Sequence, residues 1–229
     1  MRIVLVCLIG FLLLFSIPSK TAAHTTYNFQ PISAGQIDEA LLRLVPVRFL
    51  TSHPLYFLIL AKENVTRFFQ PSAAKKAQFD VVLSGKKLKE SYLLLIKGDV
   101  LNSGRTLASY SKRLDKMVDQ LERARSQNQE VSSLVDFMAE NLRVHETVFF
   151  GIQKEWELAE DVYDFDSNFA RAVASHAAAV LAIDNVKPGL RDRFTTDDGE
   201  ATEEAKPTPY PTPYIQEATP SVKPKRIIL

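Results

Sequence analysis

The sequence predicts an all-α fold, an antiparallel up-and-down bundle of about five helices. The chain has 229 residues and 12 prolines, yet none of these lies between Ser72 and Lys187, and proline disrupts helix interiors. Within this window apolar residues recur at alternating spacings of four and three, as on the buried seam of a bundle helix. The longest seam comprises Val131, Val135, Met138, Leu142, His145, Phe149, Ile152, Trp156, Ala159 and Tyr163.

The N terminus has the three parts of a secretory signal peptide. Met1 and Arg2 precede an apolar run over residues 3–17, and small residues follow as far as Ala23. The run is shorter than the roughly 20 apolar residues that a membrane-spanning helix needs. We therefore predict cleavage after Ala23 and an extracytoplasmic location, secreted or in the cell envelope. An uncleaved membrane anchor is the alternative.

Composition excludes several kinds of site from the mature chain. The single cysteine, Cys7, lies inside the predicted signal peptide, so the rest of the chain has no disulfide, thiol nucleophile or thiolate metal site. The formal net charge of the whole chain is +1. This balance points neither to nucleic acid nor to a charged membrane surface.

Four regions follow from the composition. After the signal peptide (residues 1–23), residues 24–51 form a lead-in in which a short helix is expected before Pro46. Residues 52–187 form the bundle domain. Residues 188–229 contain an acidic run and two Pro-Thr-Pro-Tyr repeats, and such a segment is expected to be extended and disordered.

Start and stop signals delimit the first two bundle helices. The first is predicted from Pro54 to Phe69, because proline suits the first helical position. Ser72 then caps the second helix, which ends near Lys97-Gly98-Asp99, a glycine stop followed by a capping acid. The seam of the first helix comprises Leu55, Leu58, Ile59, Lys62, Val65, Phe68 and Phe69.

The third, fourth and fifth helices are predicted over Arg105–Arg125, Val131–Tyr163 and Ser167–Val186. Because the connections are short, neighbouring helices are expected to pack antiparallel. The lysines of the second helix are interpreted as a solvated face; they are Lys75, Lys76, Lys86, Lys87 and Lys89.

Two histidines are the candidate metal ligands. His145 and His176 lie on the seams of the fourth and fifth helices, and facing histidines inside a bundle can bind a metal with Glu146 as a further ligand. However, the zinc-protease pattern lacks its second histidine here. We interpret both side chains as core histidines that are hydrogen-bonded to neighbours.

The acids before the fifth helix resemble the start of a calcium loop. Asp164 and Asp166 stand at alternate positions, but Phe169 occupies the place of the sharp-turn glycine. The same acids, together with Ser167, would cap the fifth helix near the positive end of its dipole. We therefore predict a helix cap and no calcium site.

Four short motifs and one leucine follow one another in the first half of the bundle domain. They are His53-Pro54-Leu55-Tyr56, Val65-Thr66-Arg67-Phe68-Phe69, Lys75-Lys76-Ala77, Leu88 and Lys97-Gly98-Asp99. In this order they resemble an uncharacterised bacterial family of exported helical domains, domain of unknown function 5667. The resemblance spans about Leu50 to Val186, with His145 matching a histidine of a later helix. It departs where Ser52 replaces the usual acid before His53 and where Leu60 replaces a more common polar residue. The resemblance implies export and an α-helical fold, and it transfers no catalytic residue.

These observations predict an exported α-helical interaction or scaffold module of the bacterial cell envelope. We expect an envelope protein as its partner, no enzymatic activity, no cofactor and no nucleic-acid binding. Membrane contact is expected only through an uncleaved N-terminal segment. The alternative is an extracytoplasmic metal- or ligand-binding protein that uses His145 and His176.

Overall fold

The computed structural model describes residue 29, residues 31–157 and residues 163–194, and in these residues the fold is all-α without a strand. The predicted fold class is therefore confirmed. The predicted signal peptide and residues 195–229 of the predicted tail lie outside the described residues. The helices are α1 (Ala34–Arg43), α2 (Tyr56–Phe68), α3 (Ala73–Ile96), α4 (Val100–Ser126), α5 (Ser132–Trp156) and α6 (Tyr163–Asp184), followed by a 3-10 turn (Arg191–Arg193).

Helices α3 to α6 form a four-helix bundle in which α3 and α6 each pack against both α4 and α5. Helices α3 and α4 form an antiparallel hairpin, in which Ser91 on α3 is hydrogen-bonded to Ser103 on α4 near the connection. However, the consecutive helices α4 and α5 are not packed side by side. The expectation that all sequence neighbours pack is thus wrong for this pair, because α4 packs between α3 and α6 and α5 packs on the same two helices.

The hairpin between α3 and α4 contains the predicted glycine stop. Gly98 has a φ of 77°, in the left-handed region that favours glycine. The Asp99 side chain then accepts a hydrogen bond from the backbone of Asn102 at 3.3 Å. As a result α4 begins at Val100, five residues before the predicted Arg105.

The short helix expected in the lead-in is present as α1. Ser33 and Gln36 form a capping box, in which each side chain bonds the backbone of the other residue. Ile37 and Ala40 are buried, and α1 packs against α5. This segment therefore contributes a sixth helix to the domain.

Helix α6 begins at Tyr163, four residues before the predicted start. Ser167 lies inside the first turns and donates a hydrogen bond to the Asp164 carbonyl oxygen at 3.2 Å, so its predicted role as a cap is wrong. The Asp166 carboxylate accepts a hydrogen bond from Trp156 Nε1 at 2.8 Å. This acid thus connects the ends of α5 and α6.

The packed domain extends past Lys187. Leu190 is buried, and the ring of Phe194 lies 6.0 Å from that of His176. Residues 188–194 belong to the packed domain because Leu190 contributes to its core, so the predicted tail cannot begin before residue 195.

Candidate functional site

Both candidate histidines lie in the centre of the bundle. The ring of Tyr110 is 5.6 Å from that of His145 and 5.3 Å from that of Phe149, which lies 5.6 Å from the His176 ring. His145 and His176 are both almost fully buried. The structure thus brings the two predicted residues into one aromatic cluster.

Their hydrogen bonds and burial favour neutral imidazoles. Nε2 of His176 donates to the Leu142 carbonyl oxygen at 3.0 Å, and Nδ1 of His145 lies 3.4 Å from the Tyr110 hydroxyl. Burial lowers the pKa of both histidines, and the nearby His176 lowers the pKa of His145 further. Both side chains thus lie in the core, and each has a polar neighbour.

A metal site would need more ligands than these two. Among the described residues, no group of three or more His, Cys, Asp or Glu side chains is arranged to hold a metal ion, whereas zinc sites use three or four protein ligands. Nε2 of His145 has no hydrogen-bond partner within the described part of the chain. Metal binding by His145 and His176 therefore stays the alternative to the predicted core role.

A second buried polar cluster, here called the ionic network, joins α2 to α3 and α4. The interpretation of the lysines as a solvated face is wrong for Lys86 and Lys87, which are only 6% and 3% exposed. Their ammonium groups are buried because acids from two helices surround them. The network comprises Tyr56, Glu63 and Arg67 of α2, Asp80, Lys86, Lys87 and Glu90 of α3, and Arg113 of α4.

One half of the network is centred on the two lysines. Lys86 Nζ lies 2.6 Å from Glu63 Oε1 and 3.4 Å from Glu90 Oε1. Oε2 of Glu90 accepts hydrogen bonds from the Tyr56 hydroxyl at 2.6 Å and from Lys87 Nζ at 2.9 Å. Burial and then the charge of Glu90 raise the pKa of Tyr56, so its hydroxyl keeps the proton that it donates.

The other half is centred on Asp80. This carboxylate is fully buried and accepts hydrogen bonds from Nε and a terminal nitrogen of Arg67 at 2.8–2.9 Å. Arg113 lies 3.2 Å from Asp80 and 3.6 Å from Glu63. Each buried acid therefore has at least two cationic partners, the condition under which burying a carboxylate is tolerable.

Because the ionic network covers the inner side of α2, the apolar side of this helix faces outward. Phe57, Phe68 and Phe69 are 62%, 76% and 74% exposed. Their spacing, together with that of three smaller apolar residues, places them on one side of the helix. We call this set the outer face of α2: Phe57, Leu58, Ala61, Val65, Phe68 and Phe69.

The exposed charges in the stretch of chain that contains α2 are of one sign. Residues 40–98 contain ten Lys or Arg and three acids, and these three, Glu63, Asp80 and Glu90, are all buried in the ionic network. Every exposed charged side chain of this stretch is therefore a cation. The exposed ones are Arg43, Arg48, Lys62, Lys75 and Lys97.

An apolar groove of about 490 Å³ continues the surface between α2 and the preceding segment. Phe49, Leu58 and Phe79 contribute apolar walls, and Arg48 and Lys62 also line the groove. The exposed apolar surface is thus broader than one helix face.

None of the helices in the described part of the chain is long and apolar enough to cross a membrane. Comparison of the chain with protein-family models, with curated proteins and with solved structures found no match. The resemblance to the exported helical family stays a prediction.

Proposed function

We propose that this protein is an exported α-helical interaction module of the bacterial cell envelope, and that it docks on an anionic lipid bilayer through the outer face of α2. The observation that carries the proposal is the orientation of α2, whose polar side pairs with the bundle and whose apolar side is exposed. Contiguous exposed apolar surface on a folded domain marks an interaction site. A helix with Phe and Leu on one side and cations beside it suits the bilayer interface.

Charge complementarity favours a bilayer over a protein as the occupant. The stretch over residues 40–98 exposes cations and no acid, and an anionic leaflet attracts each nearby Lys or Arg by about 1 kcal/mol. An apolar groove on a protein partner would match the outer face equally well. Such a partner would not explain why the exposed charged side chains of residues 40–98 are all cations.

The predicted export also favours action at a membrane surface. A chain carried through the membrane by residues 1–23 would fold beside a leaflet, whether that segment is cleaved or retained as an anchor. The contact proposed for α2 is additional to any such anchor. It therefore has to be tested at α2 itself.

A reporter on α2 provides that test in the full chain. Cys7→Ser removes the single cysteine, after which Val65→Cys on the outer face is labelled with an environment-sensitive fluorophore. The matched control is Leu181→Cys on α6, an exposed leucine on the helix diagonal to α3. Vesicles of phosphatidylglycerol and phosphatidylcholine carry nitroxide-labelled acyl chains that quench a fluorophore in contact with them.

We expect the label at Val65→Cys to be quenched and to shift to shorter wavelength, more strongly in phosphatidylglycerol vesicles, while the label at Leu181→Cys changes little. Because the two variants share the same N-terminal segment, an anchor alone cannot produce this difference. Equal quenching at both positions, or none at Val65→Cys, would overturn the proposal. An apolar groove on an envelope protein would then be the better candidate.

A further inference from the structure

A second concave surface lies between α2 and α4, and its charge is unbalanced. This pocket has a volume of about 400 Å³, and among the described residues no acid lines it. Its walls include hydroxyl and amide groups and an apolar patch made by Tyr56 and Leu60. The five cations that line it are Lys87, Arg105, Lys112, Arg113 and Lys116.

Two of these cations are fixed in place by the ionic network. Lys87 lies 2.9 Å from Glu90, and Arg113 lies 3.2 Å from Asp80. Both side chains are largely buried, so their positions do not depend on a ligand. The inner wall of the pocket is thus preorganised, and its two charges are already paired with buried acids.

The other three cations are exposed and lack ion pairs. Arg105, Lys112 and Lys116 form none with any acid that the structure describes. Spacings of seven and four residues place them on one side of α4, and like charges four residues apart destabilise a helix. A bound anion would turn this repulsion into attraction.

We infer that this pocket binds a phosphate ester, with the phosphate among Arg105, Lys112 and Lys116 and the organic part against Leu60 and Tyr56. Arginine and lysine together supply the charge-assisted donors that phosphate oxygens prefer. The volume of about 400 Å³ lies within the range of about 300–1,000 Å³ that is usual for small-molecule sites. Thr51, Asn102 and Ser109 in the walls can then hydrogen-bond the hydroxyls of the organic part, which selects an ester over the free ion.

A phosphate ester could reach the pocket as a soluble metabolite or as a phospholipid headgroup. The inference goes beyond bilayer docking, because a soluble ester would fill the pocket whether or not α2 contacts lipid. The probes are glycerol 3-phosphate, inorganic phosphate and succinate, each titrated calorimetrically into the full chain. The pocket variant is Lys112→Gln with Lys116→Gln, two exposed positions outside the ionic network.

We expect saturable binding of glycerol 3-phosphate, weaker binding of inorganic phosphate, and at least a tenfold loss of affinity for the ester in the pocket variant. Lys75→Gln with Lys154→Gln, which removes the same charge from exposed positions outside the pocket, should change the affinity less than twofold. Circular dichroism verifies that both variants keep their helices. No saturable ester binding, equal binding of succinate, or an unchanged pocket variant would overturn the inference.

A second measurement assigns the source of the ester. If saturating glycerol 3-phosphate abolishes the preference of the chain for phosphatidylglycerol over phosphatidylcholine vesicles, headgroup and soluble ester share the pocket. If the preference persists, the soluble ester is its ligand. The label at Val65→Cys reports separately on bilayer docking, so a failure of either proposal can be told from a failure of the other.

Discussion

Replacing Asp80 by asparagine tests whether the ionic network holds α2 on the bundle. The fully buried carboxylate accepts three short hydrogen bonds from Arg67 and one from Arg113. Asparagine has nearly the same shape but carries no charge, and its amide donors would face the N–H groups of the arginines. The substitution therefore removes the charge without creating a cavity.

The magnitude follows from the burial of the partners that remain. Removing one partner of a buried ion pair costs about 3–5 kcal/mol. Arg67 is 23% exposed and can regain hydration in the variant, and Arg113 keeps Glu63 as a partner at 3.6 Å. The expected loss in the free energy of unfolding for Asp80→Asn therefore lies at the lower end of this range, about 3 kcal/mol. For a domain of this size such a loss lowers Tm by roughly 6–12 °C.

Urea unfolding, followed by circular dichroism and by the fluorescence of Trp156, the single tryptophan, measures this change. The matched control is Asp115→Asn on α4, whose side chain is exposed and forms no ion pair with a described residue. We expect the control to stay within about 0.5 kcal/mol of the parent chain. A loss below about 1 kcal/mol in Asp80→Asn would refute the view that the network anchors α2.

Three further predictions concern the centre of the bundle. A Cβ added at Gly85 would lie 2.5 Å from Nε2 of His145, so Gly85→Ala should destabilise the domain by about 1–3 kcal/mol in thermal unfolding; an unchanged Tm would contradict this contact. Burial lowers the pKa of His145 and His176, so as the pH falls the unfolded chain is protonated at these residues before the folded chain is. The free energy of unfolding should therefore decrease below about pH 6.5, by up to about 1.4 kcal/mol per pH unit for each histidine. An unchanged free energy of unfolding between pH 7 and pH 5 would disprove this. Finally, we expect elemental analysis to find no stoichiometric zinc, iron or manganese and a chelator to leave Tm unchanged, whereas one metal per chain that is lost in His145→Ala would restore the metal-binding alternative.

Periodicity predicted the helices but not where α4 and α6 begin, nor that α5 ends at Trp156 and not at Tyr163. In α4 the apolar seam starts at Leu107, and the preceding residues include Asn102, Ser103 and Gly104, which have low helix propensity. Tertiary contacts override that propensity, because Ser103 is hydrogen-bonded to Ser91 on α3 and a Cβ at Gly104 would lie 3.4 Å from the backbone of α6. The spacing of residues along one helix does not predict such contacts with other helices.

The helical spacing of apolar residues also did not predict the orientation of α2. Helical spacing shows which residues share a side of a helix, and it leaves open which side is buried. A signal was present in the sequence, since Tyr56 and Glu63 are seven residues apart and Lys86 and Glu90 are four apart, each pair on one side of its helix. Only the packing of α2 on α3 shows that these two polar pairs meet.

The same network explains why the net charge of +1 concealed a cationic surface. A partner at the surface interacts with exposed charges, and paired buried charges are largely hidden from it. By drawing Glu63, Asp80 and Glu90 inward, the network removes every acid of residues 40–98 from the surface and leaves the exposed cations of this stretch there. An apolar inner side would also hold α2 on the bundle, but it would make the helix apolar all round and would not specify which side turns outward. The polar pairs thus set both the direction of the apolar face and the sign of the charge around it, and these are the two properties that bilayer docking requires.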